Sequence, residues 1–296
     1  MADLLSINIG IDPNIGHVFG LLITWHGFFT AVGIIAGVWL AVNVAAGPRV
    51  GIDPDTSYTI GMIVVAAGIV GARALYVIEN YGDSPNIDSF GDIFRITEGG
   101  ISIYGAIIGG AVAGWAYGLV KRLPSAAGAD AGAFGMLLGL AIGRIGDIIN
   151  GEHFAKTSSL PWAVTYSHPN STAFARQPMH PAVAYEMIGD LVILGILALL
   201  WRRNPKSGVT FALAFLLYSV MRFFVSFLRI DSHEPAFGLT TPQLVAVAVI
   251  PVALALLVYF LKRKEPARGA YVAPRRQTLS RAERRRRLRT GTGTGA

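Results

Sequence analysis

The 296-residue chain contains no cysteine. Disulfides, thiolate metal sites and a cysteine nucleophile are all excluded by that absence. Charge is also scarce: Asp, Glu, Lys and Arg make up 15% of positions against 53% hydrophobic residues, and the mean hydropathy is +0.51. That balance belongs to a polytopic membrane protein and not to a soluble domain. The N-terminus lacks the basic region and small-residue cleavage site of a signal peptide, so the first spanning segment is expected to be retained. The net charge of +7 would suit nucleic acid, but much of it lies in the tail 263–296, which includes the run Arg284–Arg287. No nucleic-acid partner is expected; the tail reads as a disordered cytoplasmic segment near anionic lipid headgroups.

What the chain does have is long apolar runs and 35 glycines, small residues that let membrane helices approach closely. Seven stretches of about the length needed to cross a bilayer follow one another, at 18–46, 57–80, 99–120, 130–149, 182–201, 208–229 and 241–261. Gly47-Pro48, Asp53-Pro54, Ser84-Pro85, Leu123-Pro124, Asn204-Pro205 and Glu234-Pro235 punctuate the joints. Alternate loops hold Arg49, then Lys121 and Arg122, then Arg202, Arg203 and Lys206, then the basic tail, whereas the opposite loops hold only Arg95, Lys156 and Arg176. The positive-inside bias therefore puts the tail in the cytoplasm and the N-terminus outside. The long segment 150–181 then falls on the outer side, as a small head between spans four and five, with Trp162, Val164 and Tyr166 alternating as one short strand. The expected fold is all-α and polytopic: a seven-helix transmembrane domain over 1–262 with a small extracytoplasmic head, followed by the tail 263–296.

Polar residues inside these spans are few and clustered. Gly143-Arg144-Ile145-Gly146-Asp147-Ile148-Ile149-Asn150-Gly151-Glu152 places four polar side chains at or near membrane depth, where an ionisable group is costly unless paired or hydrated. Arg73 and Arg222 lie in other apolar segments. Arg144 and Asp147 sit three residues apart on one helix face, which suits a structural ion pair. Gly139, Gly143 and Gly146 favour a second reading, in which a headgroup approaches the bare backbone. Arg222 and Arg229 are seven residues apart, about two turns and one face of a helix. A guanidinium can clamp two phosphate oxygens at once, which suits a phosphate-bearing lipid. Arg229 also reads as an interfacial snorkelling residue, Tyr104 as an interfacial tyrosine, and His26 as a hydrogen-bonded structural histidine. Glu186, one turn inside span five, most simply neutralises a buried arginine.

With these residues in hand, the chain resembles the phosphatidylglycerol–prolipoprotein diacylglyceryl transferase family over roughly 18–262. The resemblance rests on Gly71-Ala72-Arg73 with Tyr76, Gly99-Gly100-Ile101-Ser102-Ile103, Gly143-Arg144-Ile145-Gly146 ending at Asn150-Gly151-Glu152, and Leu160-Pro161-Trp162. It continues through His180-Pro181 with Tyr185-Glu186, Arg222-Phe223 with Arg229, and Gly238-Leu239-Thr240 with Gln243. It implies an enzyme of the bacterial cytoplasmic (inner) membrane whose site opens outward. Such an enzyme moves the diacylglyceryl group of phosphatidylglycerol onto the lipobox cysteine of a prolipoprotein signal peptide, forming a thioether and releasing glycerol-1-phosphate. No metal or organic cofactor is implied. By position, Arg144, Arg222, His26 and Tyr104 are the implied catalytic set. Arg73, Asp147, Asn150, Glu152, Glu186 and Arg229 are the implied substrate-binding set.

The chain departs from the family pattern at three of these positions. His26 stands where tyrosine is usual, Tyr104 where histidine is usual, and Asp147 in place of the signature asparagine. Either the pocket keeps the same groups with positions exchanged, His26 serving as base or hydrogen-bond partner, or the reaction or substrate has changed. Asp147 adds negative charge beside a phosphate site, which favours the second explanation unless Arg144 pairs with it. A non-catalytic lipid-binding or lipid-moving protein on the same fold, and a transferase with another lipid donor, remain the alternatives.

Overall fold

The computed structural model describes residues 6–80, 91, 93, 100, 102–231 and 237–264. Nearly all of the 81–98 loop and the tail beyond 264 lie outside the described residues. Three short strands, β1 (Ile7–Ile9), β2 (Asn14–Val18) and β3 (Leu21–Thr24), precede four helices: α1 (Trp25–Ala46), α2 (Pro54–Asn80), α3 (Ile103–Val120) and α4 (Ser125–Asn150). Strand β4 (Val164–Tyr166) follows, then α5 (Ala182–Arg202), α6 (Val209–Ser226) and α7 (Thr241–Lys262). The fold is all-helical apart from these strands. Among the described residues six helices are long and apolar enough to cross a membrane, and α3 contributes a shorter apolar stretch, Gly105–Val120. Large apolar side chains such as Ile35, Trp39, Trp115 and Leu199 face outward, as lipid-facing residues do.

Two expected span limits move. Residues 18–24 do not begin the first helix, because β2 and β3 pair antiparallel across a turn at Phe19 and Gly20, both at positive φ (51° and 81°). The helix starts at Trp25, where the Thr24 side chain accepts from Gly27 N at 3.1 Å. Its 22 residues still reach about 33 Å, enough to cross. At the other change, α6 ends at Ser226, so Arg222 and Arg229 do not share a helix face. The chain past Ser226 pairs instead with the segment after α4: Ile230 N donates to Phe154 O at 3.0 Å, and Leu228 O accepts from Lys156 N at 2.8 Å.

Helices α1 and α4 meet through glycine. A Cβ at Gly33 would sit 2.6 Å from Gly139 O, and one at Gly37 would sit 2.5 Å from Gly135 O. Any side chain there would part the helices. Phe134, Leu137, Ile193, Leu197 and Ala214 fill the space between α4, α5 and α6. At the opposite end from the polar cluster, the buried Asp130 carboxylate accepts from Gly208 N and Phe211 N, both at 2.7 Å, and so caps α6 from a neighbouring helix. Arg49 donates to Trp201 O at 2.7 Å and to Pro205 O, closing the C-terminal end of α5.

Between α4 and α5 the chain folds into a small packed unit. Gly151, left-handed at φ 73°, ends α4. The expected short strand is present as Val164–Tyr166, and Trp162 lies just before it, donating to Tyr185 OH at 2.8 Å. Strand β4 pairs in parallel with β1, a partnership that joins the N-terminus to this unit. Val164, Tyr166, Ala173 and Met179 form its core.

Candidate active site

The polar residues gather where α1 and α5 begin and where α4 and α6 end. Gly146 makes the first of these meetings possible. A Cβ there would lie 2.7 Å from both His26 Cα and Trp25 O, so only glycine lets the first turn of α1 settle onto α4. His26 Nδ1 thereby comes within 2.6 Å of Asp147 Oδ1. The other carboxylate oxygen of Asp147 accepts from Arg144 Nη1 at 2.9 Å, the pair expected from i, i+3 spacing. Glu152 Oε2 lies 3.5 Å from the same His26 nitrogen, and Glu152 Oε1 accepts from Asn150 Nδ2 at 3.0 Å.

The glycine series is only partly as expected. Gly139 and Gly146 pack against the backbone of α1 and are not bare faces for a ligand, whereas a Cβ on Gly143 would meet nothing within 4 Å.

Glu186, 1% exposed, is the centre of the cluster. Arg144 reaches it from α4 and Arg222 from α6, and Arg229 Nη1, past the end of α6, lies 3.1 Å from Glu186 Oε1. Arg144 and Arg222 therefore converge on one shared carboxylate. The expectation that Glu186 neutralises one arginine understates it: it holds three. Among the described residues, Arg144 Nε is buried with no acceptor and Asn150 Oδ1 is buried with no donor, so the site has polar capacity beyond its internal bonds.

Arg229 is engaged through all three of its guanidinium nitrogens. Its Nε and Nη2 donate to both oxygens of Asp231, at 3.0 and 2.7 Å. His153 Nδ1 lies 2.8 Å from Arg229 Nη2 and 3.2 Å from Asp231 Oδ2. Burial alone would raise the Asp231 carboxyl, but the bonds from His153 and Arg229 outweigh it and hold it well below the usual carboxylate range. Nearby, burial pushes the Tyr166 hydroxyl up to about 12, and it donates to Ile148 O at 2.8 Å, tying the end of α4 to β4.

A family model described as prolipoprotein diacylglyceryl transferase matches residues 13–259, which include every residue of this cluster. The chain belongs to that family. It is similar to the phosphatidylglycerol–prolipoprotein diacylglyceryl transferase of Clostridioides difficile, 37% identical over 216 residues, 73% of this chain and 82% of that protein. The enzyme of that name from Symbiobacterium thermophilum is 32% identical over 260 residues, covering 86% of this chain and 94% of its own length. A Streptomyces coelicolor relative, transferase 1, is 35% identical over 274 residues, covering 89% and 76%. This chain is thus a transferase of lipoprotein maturation, built on apolar helices.

The transferase family's expected residues do not all meet. The described contacts of Arg73 are elsewhere: it donates to Ile93 O at 2.9 Å and Gly100 O at 2.7 Å, and lies over the Tyr76 ring. It organises the approach to α3. The Tyr104 side chain lies outside the described residues. His153 and Asp231 join the cluster although sequence reasoning passed over them. The spacing Arg229-Ile230-Asp231 is the signal for the pair, but the apolar run carries the expected span to 229 and hides the loop that begins after Ser226. His26, Asp147 and Glu152 bring three ligand-type atoms within 4.8 Å of one another, and within that set His26 Nδ1 and Asp147 Oδ1 are already bonded to each other.

Proposed function

We propose that the chain transfers the diacylglyceryl group of phosphatidylglycerol to the lipobox cysteine thiol of an exported prolipoprotein, forming a thioether and releasing glycerol-1-phosphate. The observation that carries this reading is the convergence of Arg144, Arg222 and Arg229 on Glu186 at a site that retains an unspent guanidinium donor. Arg144 and Arg222 bind the headgroup phosphate and stabilise the charge that develops on the departing glycerol phosphate. Asn150 and Glu152 line the same space. Arg229, its fork held by Asp231, keeps Glu186 in place between the other two arginines. Arg73 holds the chain before α3 through the carbonyls of residues 93 and 100, and Tyr104, in the first turn of α3, serves as a further catalytic group. The absence of cysteine fits a reaction whose nucleophile arrives with the acceptor.

In this reading α3 is a seventh crossing and the domain spans 1–262. The unit at 151–181 is an extracytoplasmic head over the pocket mouth, and the N-terminus faces outward. The basic tail 263–296 lies in the cytoplasm, and the membrane is the bacterial inner membrane. The distribution of Lys and Arg among the loops supports that orientation.

Purified protein mixed with phosphatidylglycerol and a lipobox peptide should add one diacylglyceryl mass to the peptide cysteine. Arg144→Ala and Arg222→Ala should each reduce the rate by about 10²-fold or more. Survival of transfer in both variants sinks the phosphate-clamp reading. A second reading, lipid binding without transfer, draws on the carboxylates that already meet the three arginines. It predicts phosphatidylglycerol binding with no mass gain.

A further inference from the structure

We propose that Asp147 is the positioning residue that orients His26, and that His26 Nε2 is the base that takes the proton from the acceptor thiol. The proposal rests on the transferase reading above and assigns a step that reading leaves open.

Its first support is bond polarity. A carboxylate only accepts, so the 2.6 Å contact between His26 Nδ1 and Asp147 Oδ1 places the ring proton on Nδ1. In the neutral ring the lone pair is then on Nε2. No described residue engages Nε2, and the His26 side chain is 45% exposed, so that nitrogen is available to an incoming group. The second support is rigidity. Asp147 is buried, and its other oxygen is held by Arg144 Nη1 at 2.9 Å, so the carboxylate cannot rotate away from the imidazole. Gly146 fixes the height of His26 over α4 from the backbone side. The third is charge. Two carboxylates stand beside the ring where the proton arrives, Asp147 Oδ1 at 2.6 Å and Glu152 Oε2 at 3.5 Å from Nδ1.

The step balances. The thiol S–H proton passes to Nε2, and the sulfur pair forms the bond to the glyceryl methylene carbon. The bond from that carbon to the phosphate-ester oxygen breaks, and its electron pair leaves on glycerol phosphate, beside Arg144 and Arg222. The imidazolium then returns its proton to that phosphate or to water. The pair thus lets a histidine near neutrality do work that a free thiol, mostly un-ionised there, needs done.

The test uses two lipobox peptides, one with cysteine and one with selenocysteine, whose selenol is already ionised at neutral pH and needs no base. With the full-length protein and phosphatidylglycerol, His26→Gln should lower transfer to the cysteine peptide by about 10²-fold. Transfer to the selenocysteine peptide should stay within a few-fold of wild type. Asp147→Asn should show the same pattern more weakly, about tenfold, because it keeps the shape but not the charge. A merely structural role for either residue would depress both peptides alike. Equal loss with both peptides in a variant that melts like wild type overturns the proposal, as does wild-type activity of His26→Gln on cysteine. If His26→Gln fails to fold, the peptide ratio of Asp147→Asn decides alone. Wild-type protein that modifies neither peptide would instead sink the transferase reading itself.

Discussion

At Glu186 two carboxylate oxygens meet three guanidiniums in a setting almost closed to solvent. Removing that carboxylate leaves three cations facing one another with one partner fewer. Glu186→Ala should therefore destabilise the protein by about 3–5 kcal/mol, read as a lower melting temperature in detergent. Asp231 behaves differently because it sits past the end of α6, beyond the apolar helix. Its native carboxyl is depressed, so its contribution to stability is complete above the unfolded value of about 3.9. That contribution fades as pH falls below that value toward the native one. The melting difference between wild type and Asp231→Asn should stay level from neutrality down to about pH 5 and shrink below about pH 4. A difference that stays constant through the acid range would show that the pair with Arg229 is not felt. At this scale the sequence showed which residues were costly to bury, because an arginine in an apolar run is conspicuous. Spacing showed the pair of Arg144 with Asp147 but not the one with Glu186, because Arg144 and Glu186 are far apart in the chain and meet only through packing.

Among the elements, the seam between α1 and α4 carries the site. Gly33 and Gly37 on α1 touch Gly139 and Gly135 on α4, and Gly146 ends the seam beneath His26. Gly146→Val should lift the first turn of α1, lengthen the bond from His26 to Asp147 and cut transfer sharply. The fold survives, because the seam below is unchanged. Circular dichroism like that of wild type with lost activity is the expected result; full activity would show that the close approach is dispensable. At the other end Asp130 caps α6 across a helix boundary. Asp130→Ala leaves the buried Gly208 N–H and the partly buried Phe211 N–H unpaired and should cost about 1–3 kcal/mol, visible as a lower melting temperature. Most helix limits were legible from apolar run length. The misplaced ones share a cause: where 14–24 forms a hairpin and where 227–230 leaves α6, backbone pairing replaced a continuing helix in sequence that is still apolar. Hydropathy alone does not separate the two.

For the whole molecule, the missing cysteine makes topology measurable, since single cysteines can be introduced without background. Cysteines placed at Asn170, between α4 and α5, and at Asn204, between α5 and α6, should label with an impermeant reagent from opposite faces of intact cells, Asn170 from outside. Labelling of both from one side would overturn the arrangement proposed for the bundle. Membrane residence, the order of the helices and the list of costly polar residues follow from the sequence itself. They depend on local quantities: the apolar length of a segment and the cost of placing charge within it. The tertiary structure alone decided that three arginines share Glu186, that His26 faces Asp147 and that β1 joins β4. Each of these contacts joins residues far apart in the chain, and their distance is set by how closely glycine lets α1 and α4 pack and where the strand and loop pairings pull the chain.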